Sequence, residues 1–256
     1  MVLFKITYLQ CREVQLINRK SMIYKFLPLF LLFFMSFALK ATNNTEPKLI
    51  AGLTIAETNI KLEMVYNSLQ TNHLALPNKD CFKKALLGFY NLKLKGLVEK
   101  DILTIIDFSL SSSKKRLWVI DLSANKIIYN SVVSHGIKSG GEYANNFSNA
   151  PSSNKSSLGF YTTGETYNGK HGLSLKLDGQ ERGINHNARA RAVVMHGASY
   201  ANPSILKSQG FLGRSQGCPA LPENLKKEII SLIKNKSCLF IYHPTRSYDI
   251  ASKLVA

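Results

Sequence analysis

The sequence predicts a mainly β fold that follows a helical segment and ends with a C-terminal helix and strand. Short runs of β-branched and aromatic residues, separated by turn residues, begin near residue 102 and predict the strands. Two stretches before residue 100, and one after residue 222, instead repeat apolar residues at helical spacing. The chain has 256 residues, of which 45% are hydrophobic, so it can bury one sizeable core.

Residues 1–38 predict a secretory signal peptide. Their apolar run, residues 26–39, follows three basic residues and is shorter than the roughly twenty residues that span a bilayer. Ser36 and Ala38 are small residues at positions −3 and −1 of a cleavage site after Ala38. An uncleaved anchor is the alternative, because Lys40 follows the run at once. Either interpretation predicts an exported protein of the periplasm or cell envelope.

The segment before the strands predicts two helices, at residues 54–69 and 79–95. Asn78 suits the N-cap of the second helix, and Gly96 suits its C-terminal stop. The predicted domains are a signal peptide at 1–38, a polar linker at 39–50, a helical lead-in at 51–100 and a β-rich domain at 101–256.

The strands of the predicted domain are short and are interrupted by two long polar loops. Loops 136–157 and 197–217 are rich in glycine and serine, and loops of this length are more often functional than idle. Pro222 suits the first turn of the final helix, which a closing strand follows. The predicted strands are 102–108, 116–122, 127–134, 159–163, 173–177, 192–196 and 237–242.

The net charge of +17 predicts a positive surface that suits an anionic polymer. A nucleic acid, a membrane surface, a carboxylate-rich cell wall and an acidic polysaccharide all fit that charge. The sequence has no zinc-finger spacing, no phosphate-binding glycine loop and no aromatic-plus-basic sheet motif, so we expect no nucleic-acid partner. His135, His171 and His186 lie in predicted loops without ligand spacing or acidic neighbours, so we expect polar loop histidines and no metal.

The cysteines that remain after signal removal are odd in number: Cys81, Cys218 and Cys238. Cys81 lies in a helical pattern and Cys238 in an apolar run, which predicts two core residues. The sequence alone does not decide whether Cys81 and Cys238 form a disulfide. Cys218 differs, because it stands between a glycine and a proline in a polar loop.

Cys218 and His196 form a possible nucleophile–base pair. His196 ends a predicted strand, and an imidazole can take the proton of a thiol whose ordinary pKa is near 8.5. Arg214 adds a nearby positive charge, and the N–H groups of Gly217 and Cys218 can form an oxyanion hole. A packed structural turn at Cys218 is the alternative on the pattern alone.

The segment His196-Gly197, followed by Ser215-Gln-Gly-Cys218, resembles the motif of the L,D-transpeptidase catalytic-domain family, which is His-Gly, a spacer and Ser/Thr-His-Gly-Cys. Residues 155–161 resemble the family's Thr-Pro-x-Gly-x-Phe segment at a strand start, and residues 116–134 resemble its early hairpin. The resemblance extends over residues 102–242.

The resemblance implies a β-sandwich-like, cofactor-free catalytic domain that acts, as a monomer, on peptidoglycan stem peptides. The thiolate of Cys218 would attack the carbonyl between the third stem residue and its D-alanine, and an amine would resolve the acyl-enzyme. His196 would be the general base, and the backbone of Gly197 would orient it. Ser215 would support the cysteine loop. The residues expected to contact substrate are Arg214, Ser215, Gln216 and Tyr161.

This chain departs from the family motif in three ways. Gln216 replaces the second histidine, the arginine that usually follows the cysteine is absent, and the spacer before Ser215 is slightly long. The contact to the substrate carboxylate must then come from Arg214, Arg189 or Arg191. Two alternatives remain open: an L,D-carboxypeptidase that uses water as acceptor, and a wall-binding module without turnover.

Overall fold

The computed structural model describes residues 54–255; the predicted signal peptide and linker lie outside the described residues. No helix within that range is long and apolar enough to cross a membrane. The helices are α1 (Ile55–Asn67), α2 (Lys79–Leu94), α3 (Leu206–Gln209), α4 (Lys226–Ile233) and α5 (Arg246–Ala251). The strands are β1 (Ile102–Asp107), β2 (Leu117–Asp121), β3 (Lys126–Ser131), β4 (Gly159–Gly169), β5 (Gly172–Gly179), β6 (Val194–Gly197), β7 (Ala220–Leu221) and β8 (Cys238–Tyr242).

Side-chain caps define the start of both N-terminal helices. Thr54 caps α1 in a capping box, in which Glu57 N–H donates to Thr54 Oγ1 at 3.3 Å and Thr54 N–H donates to Glu57 Oε2 at 2.8 Å. Asn78 Oδ1 caps α2 by accepting from the N–H groups of Asp80 and Cys81 at 2.9 and 3.2 Å. These positions confirm both predicted helices and the Asn78 cap.

All eight strands join one sheet in the order β3-β2-β1-β8-β4-β5-β6-β7. The pairs β1–β8 and β6–β7 are parallel, and the remaining pairs are antiparallel. An antiparallel bridge between Ser134 and Ala220 joins the two ends of this order, so the sheet is nearly closed into a barrel-like fold. The mainly β fold is therefore confirmed, with α2 packed on β1 and β8.

Two elements differ from the prediction. Strand β4 runs to Gly169 rather than stopping at residue 163, because a bulge between Thr163 and Thr166 lets pairing with β5 continue past the buried part. The final predicted helix begins at Lys226 rather than Pro222, since residues 222–225 form a turn first. The short helix α5 was not predicted, and its Tyr248 packs on the core.

A buried arginine braces the segment after β3 that pairs with the cysteine loop, residues 214–218. The Arg116 guanidinium donates from Nε and Nη2 to Val133 O, at 3.1 and 2.9 Å, and its Nη2 lies 2.8 Å from His135 Nδ1. Burial, and then the neighbouring Arg116 charge, lower the pKa of His135 to about 3, so this imidazole is neutral and accepts at Nδ1. His135 O in turn accepts from Ser215 N–H at 2.9 Å, which ties the brace to the cysteine loop.

The two other cysteines of the described chain are core residues, as predicted. Cys81 and Cys238 are fully buried and both thiols are free, so the disulfide that the sequence left undecided is not formed. Burial is the main cause that raises the pKa of each thiol. The negative charge of Asp107 also raises the pKa of Cys81, and that of Glu181 raises the pKa of Cys238.

Candidate active site

A cleft of about 830 Å³ opens beside β6. Its walls are the loop at residues 151–154, the cysteine loop at residues 214–218 and the tip of the β4–β5 hairpin. A volume in this range accommodates an extended peptide segment. The predicted site residues on its surface are Cys218, His196, Arg214, Ser215 and Gln216.

The parallel pairing of β6 and β7 places Cys218 and His196 near each other. His196 pairs with Ala220, and Cys218 precedes Ala220 by two residues. Both side chains line the cleft, so the thiol and the imidazole face the same space. Cys218 Sγ accepts from Val194 N–H at 3.4 Å and donates to Ala192 O at 3.8 Å. The thiol proton is therefore directed at the β6 segment and not at His196.

The cysteine is partly exposed at the floor of the cleft. Burial raises the pKa of its thiol, and the N–H of Val194 and the charge of Arg191 act in the opposite direction. Because burial is the largest of these effects, Cys218 is a neutral thiol at neutral pH. It needs a base to become a nucleophile.

His196 is a nearly buried imidazole with one nitrogen fixed by the backbone. The side chain is 2% exposed, and Nδ1 lies 2.9 Å from Gly197 O. A carbonyl only accepts, so Nδ1 carries the proton and Nε2 keeps its lone pair. Burial is the main cause that lowers the pKa of His196, and the neighbouring His171 lowers it further. The ring is therefore a neutral base at neutral pH.

Two serines hold the cysteine loop. Ser215 Oγ donates to Cys218 O at 2.6 Å and accepts from Gly217 N–H at 3.0 Å. Ser156 Oγ donates to Gly217 O at 2.9 Å. Gly217 has φ +125°, and a Cβ there would lie 2.9 Å from Lys155 O, so only glycine fits this close approach.

These contacts bear on two of the sequence predictions, the pair of oxyanion-hole donors and the role of Ser215. The Gly217 N–H donates to Ser215, so it does not belong to an oxyanion hole. Cys218 N–H has no hydrogen-bond acceptor within residues 54–255, and it remains the candidate donor. Ser215 lines the cleft, but its hydroxyl is engaged by Cys218 O and Gly217 N–H, so it supports the loop, and its contact to substrate stays a prediction.

Tyr161 is not in the cleft, and its predicted role as a substrate contact is wrong. The ring is fully buried and its hydroxyl donates to Ser157 O at 2.9 Å. The first five residues of β4 are buried on both faces, so the strand shows no alternation that marks an outward position. Tyr167 and Tyr200 line the cleft instead.

The cleft is cationic. Lys170, Arg191 and Arg214 line it, and no aspartate or glutamate lies on its wall within the described chain. Arg191 is committed to the loop beside it, where it donates to Ser148 O at 2.8 Å and to Lys155 O at 2.7 Å. Arg214 is exposed, and its nearest polar contact, Gly140 O, is 3.5 Å away. Arg214 therefore keeps its donors available to an anion.

Arg189 does not reach the cleft. Its guanidinium is paired with Asp178, at 2.7 Å from Nη2 to Oδ2, and with Glu165, at 3.2 Å from Nη1 to Oε1. These two carboxylates occupy its donors on the outer face of the β4–β5 hairpin. Of the three arginines that the sequence offers as contacts to the substrate carboxylate, Arg189 therefore lies outside the candidate site.

His171 is a site residue that the sequence analysis treated only as a polar loop histidine. It occupies the tip of the β4–β5 hairpin, and its ring stacks on that of His196, with centroids 4.3 Å apart and planes 19° apart. The pairing of Ser174 with His196 brings this tip over the strand end. No local motif marks such a contact, because it depends on the register of three strands.

The three histidines considered as a metal set have separate partners. His135 contacts Arg116, His186 Nδ1 lies 2.8 Å from Asn149 Nδ2, and His171 stacks on His196. Within residues 54–255, no group of three or more His, Cys, Asp or Glu side chains is placed to hold a metal ion.

The fold is that of a known enzyme family. A family model described as the L,D-transpeptidase catalytic domain matches residues 75–242, which is more than half of the chain. The chain belongs to the L,D-transpeptidase catalytic-domain family. No curated protein matches it.

Solved structures with a similar fold include L,D-transpeptidases from several bacteria. The match to the Mycobacterium smegmatis L,D-transpeptidase has 12% identity and a TM-score of 0.36, and covers 56% of this chain and 59% of that one. The match to the helical cell shape determining protein Pgp2 from Campylobacter jejuni has 14% identity and a TM-score of 0.39, and covers 67% and 61%. The match to the enzyme from Stackebrandtia nassauensis has 11% identity and a TM-score of 0.34, and covers 65% and 68%. This chain spans about three fifths of the first two structures.

Proposed function

We propose that this protein is an exported L,D-transpeptidase that uses Cys218 as nucleophile and His196 as general base on peptidoglycan stem peptides. The observation that carries the proposal is the placement of a thiol and a neutral imidazole on one face of a cationic cleft, in a chain of this family. The sequence of residues 1–38 supports export, which would bring the enzyme to its substrate.

The first half-reaction forms a thioester. His196 Nε2 takes the proton of the Cys218 thiol as Sγ attacks the carbonyl between the third stem residue and D-alanine. The N–H of Cys218 donates to the oxyanion of the tetrahedral intermediate. His196 then gives its proton to the leaving nitrogen, the C–N bond breaks, and D-alanine departs. Catalytic hydrogen bonds commonly tighten only when substrate is bound, which fits the present direction of the thiol proton.

The second half-reaction transfers the acyl group to an amine. The acceptor nitrogen attacks the thioester carbonyl, His196 takes the proton that the amine loses, and the thiolate leaves and is reprotonated by His196. Water in place of the amine makes the same protein an L,D-carboxypeptidase. The cationic wall suits the stem-peptide donor of either reaction, because this donor carries free carboxylates.

The reaction is tested with purified disaccharide tetrapeptides, followed by mass analysis of the products. D-alanine release together with crosslinked dimers is the expected result. D-alanine release without dimers assigns the carboxypeptidase. If neither product forms but the peptide still binds, the protein is a wall-binding module and the catalytic proposal is wrong.

The exposed arginine of the cleft wall is expected to recognise a substrate carboxylate. Arg214→Ala should raise KM by about tenfold with a smaller change in kcat, since a charge-assisted contact contributes about 1.5 kcal/mol. Arg189→Ala is the matched control, because that guanidinium is already paired with Asp178 and Glu165. Equal changes in both variants would show that overall charge, and not the position of Arg214, governs binding.

The pH dependence of kcat/KM is expected to show a neutral thiol–imidazole pair. Burial lowers the pKa of His196 from 6.5, so the base stays neutral to below that pH and the rate falls only as pH drops through the lowered pKa. Burial raises the pKa of Cys218, so the ultraviolet absorbance of a thiolate should be absent at neutral pH. The fall of kcat/KM at low pH reports the pKa of His196. The difference in ultraviolet absorbance between wild type and Cys218→Ala reports the thiolate. A thiolate band at neutral pH would show a preformed ion pair instead.

A further inference from the structure

The hairpin that covers the candidate base ends in a two-residue tip, Lys170-His171. Gly169 and Gly172 pair across the tip, and Gly172 has φ +70°, so the chain reverses in the space of two residues. Strand β5 then pairs with β6 through Ser174 and His196. A contact between the tip and His196 is thus set by sheet pairing and not by a mobile side chain alone.

The His171 ring lies flat on the His196 ring. The centroid separation of 4.3 Å and the interplanar angle of 19° are those of a stacked pair. In the plane of the His196 ring, Gly197 O accepts from Nδ1 at 2.9 Å. The hydrogen bond to Gly197 O holds Nδ1, and the stack on His171 supports one face of the ring. Together these two contacts restrict rotation of the ring and so the direction of Nε2.

The stack also acts on charge. Two imidazolium rings at this distance repel, so a protonated His171 disfavours protonation of His196. The other charged groups near His196 are Glu223 and Lys226, which pair with each other at 2.5 Å and have opposite effects on it. Cys218 faces the same cleft as a neutral thiol.

We infer that His171 is a positioning residue for His196: its ring supports one face of the imidazole and so limits the directions of Nε2, and a positive charge on His171 favours the neutral form of the base. This inference rests on the proposed function of Cys218 and His196. It gives the β4–β5 hairpin tip a role in the reaction that is exerted through His196.

Two variants separate the stack from the charge. His171→Phe keeps a flat ring and removes the charge, whereas His171→Ala removes both. The readout is the rate of Cys218 acylation by a carbapenem as a function of pH, with intact-mass detection. Thermal unfolding of each variant checks that the fold is retained.

We expect His171→Ala to lower the plateau rate by about tenfold, because a base that is free to rotate is less often aligned. His171→Phe should recover most of this loss. Both variants should move the acid limb to higher pH, since removing a positive neighbour raises the pKa of His196. Equal losses in the two variants, or a wild-type profile in His171→Ala, would overturn the inference.

An NMR titration of the His196 ring provides a readout that does not depend on activity. The pKa of His196 is expected to rise in His171→Phe relative to wild type. If wild-type protein is not acylated at all, the proposed function fails, and the titration still decides the role of His171. If wild type is acylated and the His196 pKa is the same in both proteins, only the charge effect of His171 is wrong.

Discussion

Replacing Cys218 with alanine is expected to lower D-alanine release from tetrapeptide donors by about 10⁴-fold or more, because Cys218 is the only thiol on the cleft surface within residues 54–255. The side chain is small and partly exposed, so the free energy of unfolding should change by about 0.5 kcal/mol or less. Product release and thermal unfolding are measured on the same preparation. The combination of lost turnover and retained fold identifies a chemical role.

Cys81 supplies the matched control for that variant. Its thiol is fully buried in α2, and Cys81→Ala should cost stability with little effect on turnover of the folded protein. If Cys218→Ala retains turnover, or if the two variants lose turnover equally, then Cys218 is not the nucleophile.

Replacing His196 with alanine is expected to lower the acylation rate of Cys218 by about 10²- to 10⁴-fold, the usual range for a lost general base. The residual rate should rise steadily with pH, because the raised thiol pKa leaves solvent base as the only route to the thiolate. The wild-type acid limb should disappear. Stopped acylation reactions at a series of pH values, followed by intact-mass analysis, measure all three effects.

His186→Ala is the control for general loss of a histidine. His186 is exposed, bonds to Asn149 and lies outside the cleft wall, so its variant should react at a rate within about twofold of wild type. If His196→Ala keeps the wild-type acid limb, another group is the base. His171 would then be the first residue to examine, since its ring is the nearest other imidazole to His196.

Local patterns were sufficient for much of the fold. Asn78 is a cap residue in the sequence prediction and in the structure, and the turn after Asp121 separates two strands as their composition predicts. These elements depend on interactions between residues a few positions apart. The bounds of β4 and α4 were less predictable, since a bulge and an initial turn move them without changing the apolar pattern.

The candidate site was predictable where a motif is local, and not where it depends on sheet register. Cys218 and His196 lie in one cleft, as the motif predicts. Tyr161 was misplaced because a strand buried on both faces gives no sign of which side chains point outward. The stack of His171 on His196 joins a hairpin tip to a strand end, and only the pairing of β5 with β6 shows it.

The hydrogen bonds of the cysteine loop were also hidden from sequence. Gly217 was predicted to donate to an oxyanion, but Ser215 Oγ takes that N–H while donating to Cys218 O. A serine two residues before a glycine can accept from its N–H or leave that N–H free, and the residue type does not distinguish these cases. The same contact explains why Ser215 supports the loop.

The measurement that tests the central proposal most directly is trapping of the acyl-enzyme. The protein is incubated with a tetrapeptide donor without an amine acceptor, quenched in acid and analysed by intact mass and peptide mapping. The proposal predicts a thioester adduct of the donor minus D-alanine on the peptide that contains Cys218. An adduct confined to another residue, or D-alanine release that is unchanged in Cys218→Ala, would contradict the assignment of Cys218 as the nucleophile.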